Sequence, residues 1–326
     1  MLSDSTHESI LSRNKRRKFI SVIKLLIGFG LIVFFFASGL LDFCVIFRSL
    51  AHIQFLIWGA FCCTLAIFTT VLRWWILVCV QKLPLSGFDA IRLTMIGYFF
   101  NIFIPGGAGG DIIRAAYIVK DCPERRAQAL TVAFVDRGLG LHALLFMGLL
   151  ISVISPGIFS GYPGAHTWIV ILIGLFVIGT LSPFIMISKH TSGPAIRFFG
   201  RFIGGSEAWH DAINCYRGQP IKISYAYLLS FANVVLNVLL LHFMMLAVGA
   251  NPKLIETLAF GPLVILANTL PITPGGIGVA EGVSAGLYSL IGQSDGANGM
   301  LLARFFIILG ALPGLPFFLM KHRSQN

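Results

Sequence analysis

Charge is scarce in this chain. Asp, Glu, Lys and Arg make up 11% of its 326 residues, only 13 are acidic, and 56% are hydrophobic. With a mean hydropathy of +0.86, this excludes an ordinary soluble domain, which carries about a quarter charged residues. Two signatures of soluble enzymes are also missing. No glycine-rich stretch runs into Gly-Lys-Ser/Thr, and there is no His-Glu-x-x-His, so neither an NTPase phosphate loop nor a zinc protease site is indicated. Cysteine patterning is equally poor. Cys44, Cys62, Cys63, Cys79, Cys122 and Cys215 form no C-x-x-C pair and mostly lie inside apolar runs, as buried bystander thiols do.

What is present is apolar length. Runs recur at about 19–40, 53–81, 127–154, 167–187, 223–248 and 299–320. About 20 apolar residues cross a bilayer as a helix. Two further runs, about 88–113 and 257–292, are each broken by a Pro-Gly cluster. The run 19–40 follows the basic cluster Arg13 to Lys18, but it is too long for a signal-peptide core and reads as an uncleaved first helix.

The net charge of +11 does not point to nucleic acid, because its distribution follows a membrane. Of 24 Lys and Arg residues, 20 fall on one set of connections. These are the amino terminus 1–18 with Lys24, the end of the second run (Arg73, Lys82, Arg92), the segment Arg114 to Arg126, the connection 188–222 and the tail 321–326. Only Arg48 and Lys253 fall on the opposite set. The positive-inside rule then puts both termini in the cytoplasm of a multi-pass cytoplasmic (inner) membrane protein. It also requires the first broken run to start and finish inside, and the second to start and finish outside. The expected fold is an all-α polytopic membrane protein with six full crossings and two re-entrant hairpins. A stretch at about 193–218 mixes arginines with aromatics and reads as an interfacial helix.

The two breaks resemble each other: PGGAGGD (Pro105 to Asp111) and PGGIGVAE (Pro274 to Glu281). Asn101 and Asn268 lie upstream, and Arg137 and Arg304 follow in the next apolar run. Residues 19–155 and 167–320 thus share the order span, span, hairpin, span. With three crossings each, they predict an inverted repeat whose interrupted segments mark a transport site.

Proline and glycine expose backbone amides, which favour an anion such as phosphate. The candidate ligand groups are Asn101, Gly106, Gly107, Gly110, Asp111, Arg114, Asp136, Arg137, Gly275, Gly276, Gly278, Glu281 and Arg304. Ionisable groups at membrane depth are costly and tend to line polar cavities. The alternatives are close glycine packing and charge pairs that lock helices together. Asn233 and Asn237 read as interhelical hydrogen-bonding groups, and His142 and His242 as structural residues.

These residues resemble the lysylphosphatidylglycerol synthase transmembrane-region family, also called flippase-like or UPF0104 membrane proteins. NIFIPGGAGGDIIR is similar to the family's N-x-x-x-P-x-x-x-G-(G)-D-x-x-R, and LPITPGGIGVAEG to its L-P-x-x-P-G-G-x-G-x-x-E. In FVDRGLGL the family's usual Glu-Arg is Asp136-Arg137. The resemblance implies lipid translocation. Fusion members add a soluble aminoacyltransferase domain for which these 326 residues have no room, so aminoacyl transfer is not expected.

The sequence therefore reads as a non-enzymatic protein without cofactor that flips a polar-headed, phosphate-bearing lipid. Its partners would be anionic phospholipid or polyprenyl-phosphate-linked lipid and a separate lipid-modifying enzyme. A carrier of a small soluble solute and a non-transporting subunit of an envelope lipid or glycolipid pathway are the alternatives.

Overall fold

The computed structural model describes residues 43–102, 109–158, 173–180, 206–270, 272–273 and 275–320. The expected first span, both termini, most of 167–187, the start of 193–218, and Gly106 and Gly107 lie outside them.

Among the described residues the regular elements are helical: α1 (Phe43–Ser49), α2 (Ile53–Val80), α3 (Gly87–Asn101), α4 (Gly109–Asp121), α5 (Arg126–Ile154), α6 (Ser206–Arg217), α7 (Pro220–Ala247), α8 (Leu254–Thr269), α9 (Val279–Ser289), α10 (Gly296–Ala311) and α11 (Gly314–Leu319). Among the described residues, four helical stretches are long and apolar enough to cross a membrane: Phe47–Val80, Pro123–Ile154, Pro220–Ala247 and Gly296–Leu319. The last is interrupted at Pro313, which has no N–H to continue the ladder.

Local chemistry explains the shorter helices. α3 starts at a reciprocal cap, in which Ser86 Oγ accepts the Asp89 N–H at 3.1 Å and the Asp89 carboxylate accepts the Ser86 N–H at 3.1 Å. At α8 the Glu256 carboxylate accepts the Lys253 N–H at 2.8 Å. The arms α3, α4, α8 and α9 have 15, 13, 16 and 11 residues. At ~1.5 Å per residue they reach only about 17–24 Å, short of the ~30 Å hydrocarbon core.

Contacts fix the relative directions of the long helices. Along α2 and α7, Gly59 faces Met244, Asn233 Nδ2 donates to the Ala66 carbonyl at 2.7 Å, and Arg73 Nη1 donates to Ser230 Oγ at 3.2 Å. Numbers rise on one helix as they fall on the other, so the pair is antiparallel. α10 runs parallel to α2, with Cys63 Sγ on the Phe306 carbonyl and Gly310 against Ile67. α5 runs parallel to α7, with His142 bonded to Tyr227 at 3.0 Å and the Phe146 and Phe231 rings 5.8 Å apart.

The connections match those directions. Arg125 Nη1 donates to the Lys82 carbonyl at 2.8 Å, pinning the start of α5 beside the end of α2. The Asn251 N–H donates to Gln293 Oε1 at 3.0 Å, which brings the segment after α7 to the one before α10. The α3–α4 unit therefore leaves and rejoins the bundle at one end, and α8–α9 at the other. α3 and α4 cross where a Cβ on Gly110 would lie only 2.8 Å from the Gly97 Cα, so only glycine allows that approach.

The two largest of the packed regions among the described residues hold the bundle. Trp74, Leu77, Leu93, Ile118 and Val132 join α2 to α5, and Leu240, Met244, Phe260, Tyr288 and Leu302 join α7 to α10. The buried face of α6, with Trp209, Ala212, Ile213 and Tyr216, turns toward protein. Trp209 meets Phe134 of α5 at 5.9 Å, and Gln81 Nε2 donates to the Ala212 carbonyl at 2.6 Å.

Arg73 and Arg114 require a correction. The charge count put Arg73 near or beyond the end of its helix and counted Arg114 with the basic connection after the first break, although Arg114 was also a candidate ligand group. Both are helical and buried, at 8% and 5% exposure. Acidic partners inside the bundle, described below, offset the cost of burying them.

Asn233 also contacts Thr69 and Thr70 Oγ1 at 3.1 and 3.0 Å. Asn233→Leu is expected to weaken the α2–α7 seam by about 1 kcal/mol, read from the SDS-unfolding midpoint. Asn237 donates instead to Asn233 on its own helix.

Candidate functional site

A cavity of about 300 Å³ opens where α2, α3, α4, α5, α7, α8 and α10 converge. Asn101, Asp111, Arg114, Asp136, Arg137, Gly275 and Arg304, all singled out from sequence, lie on its wall. Gly276 and Glu281 stand behind that wall and contact Arg304. Gly110 is at the α3–α4 crossing, where its N–H donates to Asn101 Oδ1 at 2.6 Å. Gly278 caps α9, and its N–H donates to Glu281 Oε2 at 2.8 Å.

The second break is wound by three glycines in the left-handed region, Gly275, Gly276 and Gly278, with φ of 57°, 70° and 80°. A Cβ on Gly275 would lie 2.5 Å from the Ile102 carbonyl oxygen, so this break touches the end of α3. The turn directs carbonyls, rather than the anticipated free amides, at a cation. Arg304 Nη1 donates to the Gly275 carbonyl at 2.6 Å, and Nη2 donates to the Gly276 carbonyl at 3.2 Å and Asn268 Oδ1 at 3.1 Å. Its Nε donates to Glu281 Oε1 at 2.5 Å.

The first half builds a more open cluster. Asp111, in the first turn of α4, accepts from Arg114 Nη2 through Oδ1 and faces Arg137 Nη1 through Oδ2 at 3.6 Å. Arg114 Nη2 also lies 3.5 Å from Asp136 Oδ2, and its guanidinium stacks 5.2 Å over the Trp74 ring. Asp136 is 2% exposed and accepts from Arg73 Nε at 2.7 Å. Adjacent residues on a helix point about 100° apart, so Asp136 is held inside while Arg137 keeps 34% of its side-chain surface exposed.

Four arginines thus meet three carboxylates around one cavity, a formal excess of one positive charge. A neutral wall completes it, with Thr70 Oγ1 and Tyr98 OH bonded at 3.0 Å beside Asn233. In a medium this apolar, the excess charge and the remaining donors favour an anion carrying several oxygens.

Sequence reasoning missed Arg73 and Tyr98 as cavity groups. A signal for Arg73 was available: seven residues, Trp74 to Val80, continue its helix beyond it, so the charge sits about two turns inside. Gly-x-Ser-x-Gly, the lipase-type serine signature, also occurs twice, at 282–286 and 292–296. Neither has the strand-to-helix turn of a hydrolase nucleophile. Ser284 is buried within α9 and donates to the Gly296 carbonyl at 2.7 Å, while Ser294 sits in a loop with Asp295 3.2 Å away.

Long apolar helices around a buried charge cluster define a helical membrane protein. More narrowly, the chain belongs to the lysylphosphatidylglycerol synthase TM region family, whose sequence model matches residues 21–314. It is similar to a UPF0104 membrane protein of Methanothermobacter thermautotrophicus (strain Delta H), at 23% identity over 248 residues, covering 68% of this chain and 69% of that protein. No solved structure matches the chain.

Proposed function

We propose that the protein moves a lipid with a phosphate-bearing headgroup between membrane leaflets, without catalysing a covalent step and without a cofactor. The carrying observation is the cavity on which both broken segments converge, with four buried or half-buried arginines against three carboxylates. A charged headgroup crosses the hydrocarbon core only if its hydration is replaced, and Arg114 and Arg137 on this wall supply replacement donors.

In this reading α3–α4 and α8–α9 are re-entrant hairpins of an inverted repeat completed by the spans at 19–40 and 167–187. The antiparallel α2–α7 pair supports it, as do the pinned ends at Arg125–Lys82 and Asn251–Gln293. So does the recurrence, in each half, of an acid in the second arm facing an arginine in the next span: Asp111 with Arg137, Glu281 with Arg304. The positive-inside rule then turns the Lys82–Arg125 end toward the cytoplasm of an inner membrane. The ligand is an anionic phospholipid or a polyprenyl-phosphate-linked lipid, and any modification of it falls to a separate enzyme.

Reconstitution in phosphatidylcholine vesicles with headgroup-labelled lipids tests this. Arg137→Ala is expected to slow transfer per folded molecule by about tenfold, the loss expected for one charge-assisted hydrogen bond. If no labelled lipid crosses faster in wild-type vesicles than in protein-free ones, the proposal fails.

A further inference from the structure

The two breaks look equivalent in sequence, yet their arginines are held very differently. All three nitrogens of Arg304 donate: to both Glu281 oxygens, to Asn268 Oδ1 and to the carbonyls of Gly275 and Gly276. Its side chain is 8% exposed. These bonds close the left-handed turn of the second break. The same Glu281 carboxylate takes the Gly278 N–H, which leads into α9. An anion replacing those partners would take the Arg304 donors from two carbonyls, an amide oxygen and a carboxylate at once, a heavy cost.

The first half is built otherwise. Asp111 bridges two cations, with Oδ1 on Arg114 and Oδ2 facing Arg137 at 3.6 Å, beyond hydrogen-bond range. Arg137 lines the cavity with 34% of its side-chain surface exposed. Arg114 is buried to 5% exposure, and its Nε and Nη1 make no hydrogen bond. Both atoms are closed off from the cavity, so the contact an incoming anion would take over is the one Nη2 makes with Asp111. The two Asp111 oxygens span the arginines as two oxygens of a phosphate would.

From this asymmetry we infer that the ligand's phosphate binds Arg114 and Arg137 in exchange for the carboxylate of Asp111, and that Arg304 is a positioning residue that shapes the second break and takes no ligand. The inference rests on the reading that the cavity takes an anionic headgroup. Asp111 is then an internal competitor. It offsets part of the pair's charge while the cavity is empty and yields to a phosphate whose oxygens reach both guanidiniums. Asp136 stays in place, because Arg73 holds it at 2.7 Å.

The test titrates the full chain in dodecyl maltoside with phosphatidylethanolamine labelled on its amine, a singly charged phosphodiester, and separately with inorganic phosphate. The vesicle assay runs alongside. Without its competing carboxylate, Asp111→Asn is expected to bind the lipid probe about tenfold more tightly, and the folded fraction of Arg137→Gln about tenfold more weakly. Arg304→Gln is expected to unfold at lower temperature and expose 270–278 to protease, while its folded fraction binds within about twofold of wild type. Should Arg304→Gln fail to fold, Arg304→Lys, which retains a cation for Glu281, carries the same comparison.

Weaker binding by Asp111→Asn, or lost binding with unchanged unfolding in an Arg304 variant, overturns the inference. So does a wild type that binds neither probe. The expected binding pattern without transfer in vesicles upholds the inference and sinks translocation. Transfer without tighter binding by Asp111→Asn does the reverse. The expected pattern with inorganic phosphate alone upholds the arginine pair and identifies a soluble anion as its ligand.

Discussion

Asp136→Ala is expected to destabilise the protein by about 3–5 kcal/mol, the cost of leaving buried charge without its partner. Asp136 is 2% exposed, and it neutralises Arg73 at 2.7 Å while contributing to Arg114 at 3.5 Å. Arg73 is itself 8% exposed, so water has little surface on which to take over the role of the carboxylate. The double variant Arg73→Met with Asp136→Ala is expected to recover much of the loss, because it removes the orphaned cation along with its partner. Tryptophan emission during SDS unfolding reads both variants, since Trp74 packs against Arg114 of the same cluster. If Asp136→Ala unfolds within about 1 kcal/mol of wild type, comparable to a surface ion pair, this pair does not hold α2 to α5.

The second large effect is expected at Gly276. Its φ of +70° strains any L side chain, and a Cβ there would lie 2.5 Å from the Asn268 carbonyl and 2.6 Å from Asn268 Oδ1, the atom that receives Arg304. Gly276→Ala combines backbone strain with displacement of that asparagine, about 3 kcal/mol or more. Gly278 is the internal control. Its φ is +80°, but a Cβ would meet nothing within 4 Å. Gly278→Ala therefore carries the backbone term alone, about 1–2 kcal/mol. Equal unfolding midpoints for the two variants would show that contact with Asn268 contributes nothing.

The helical membrane class was legible because continuous apolar length is a property of the sequence itself: the four long helices coincide with apolar runs. The interruptions were legible for the same reason, since proline and glycine act on their own backbone. Pairing across the bundle was not. Asp136 could be seen as a buried acid, but its main partner lies 63 residues away on α2, and nothing local to either residue records that distance. The second break showed its glycines but not which way its peptide groups would turn. The left-handed dihedrals at Gly275 and Gly276 decide that, and they present oxygens to Arg304. Asn233 was visible as a polar residue on an apolar helix, whereas its place on a cavity wall depends on where α3 and α8 close the space around it.

The separation between Arg73 and Asp136 also bears on how the chain is made. The ribosome delivers α2 with its arginine already inside an apolar segment, and the neutralising carboxylate follows only after 63 more residues. Until α5 emerges, the nascent α2 gains little from moving into lipid alone. It has reason to wait beside the insertion machinery, and α2 to α5 can then partition as a set rather than one by one.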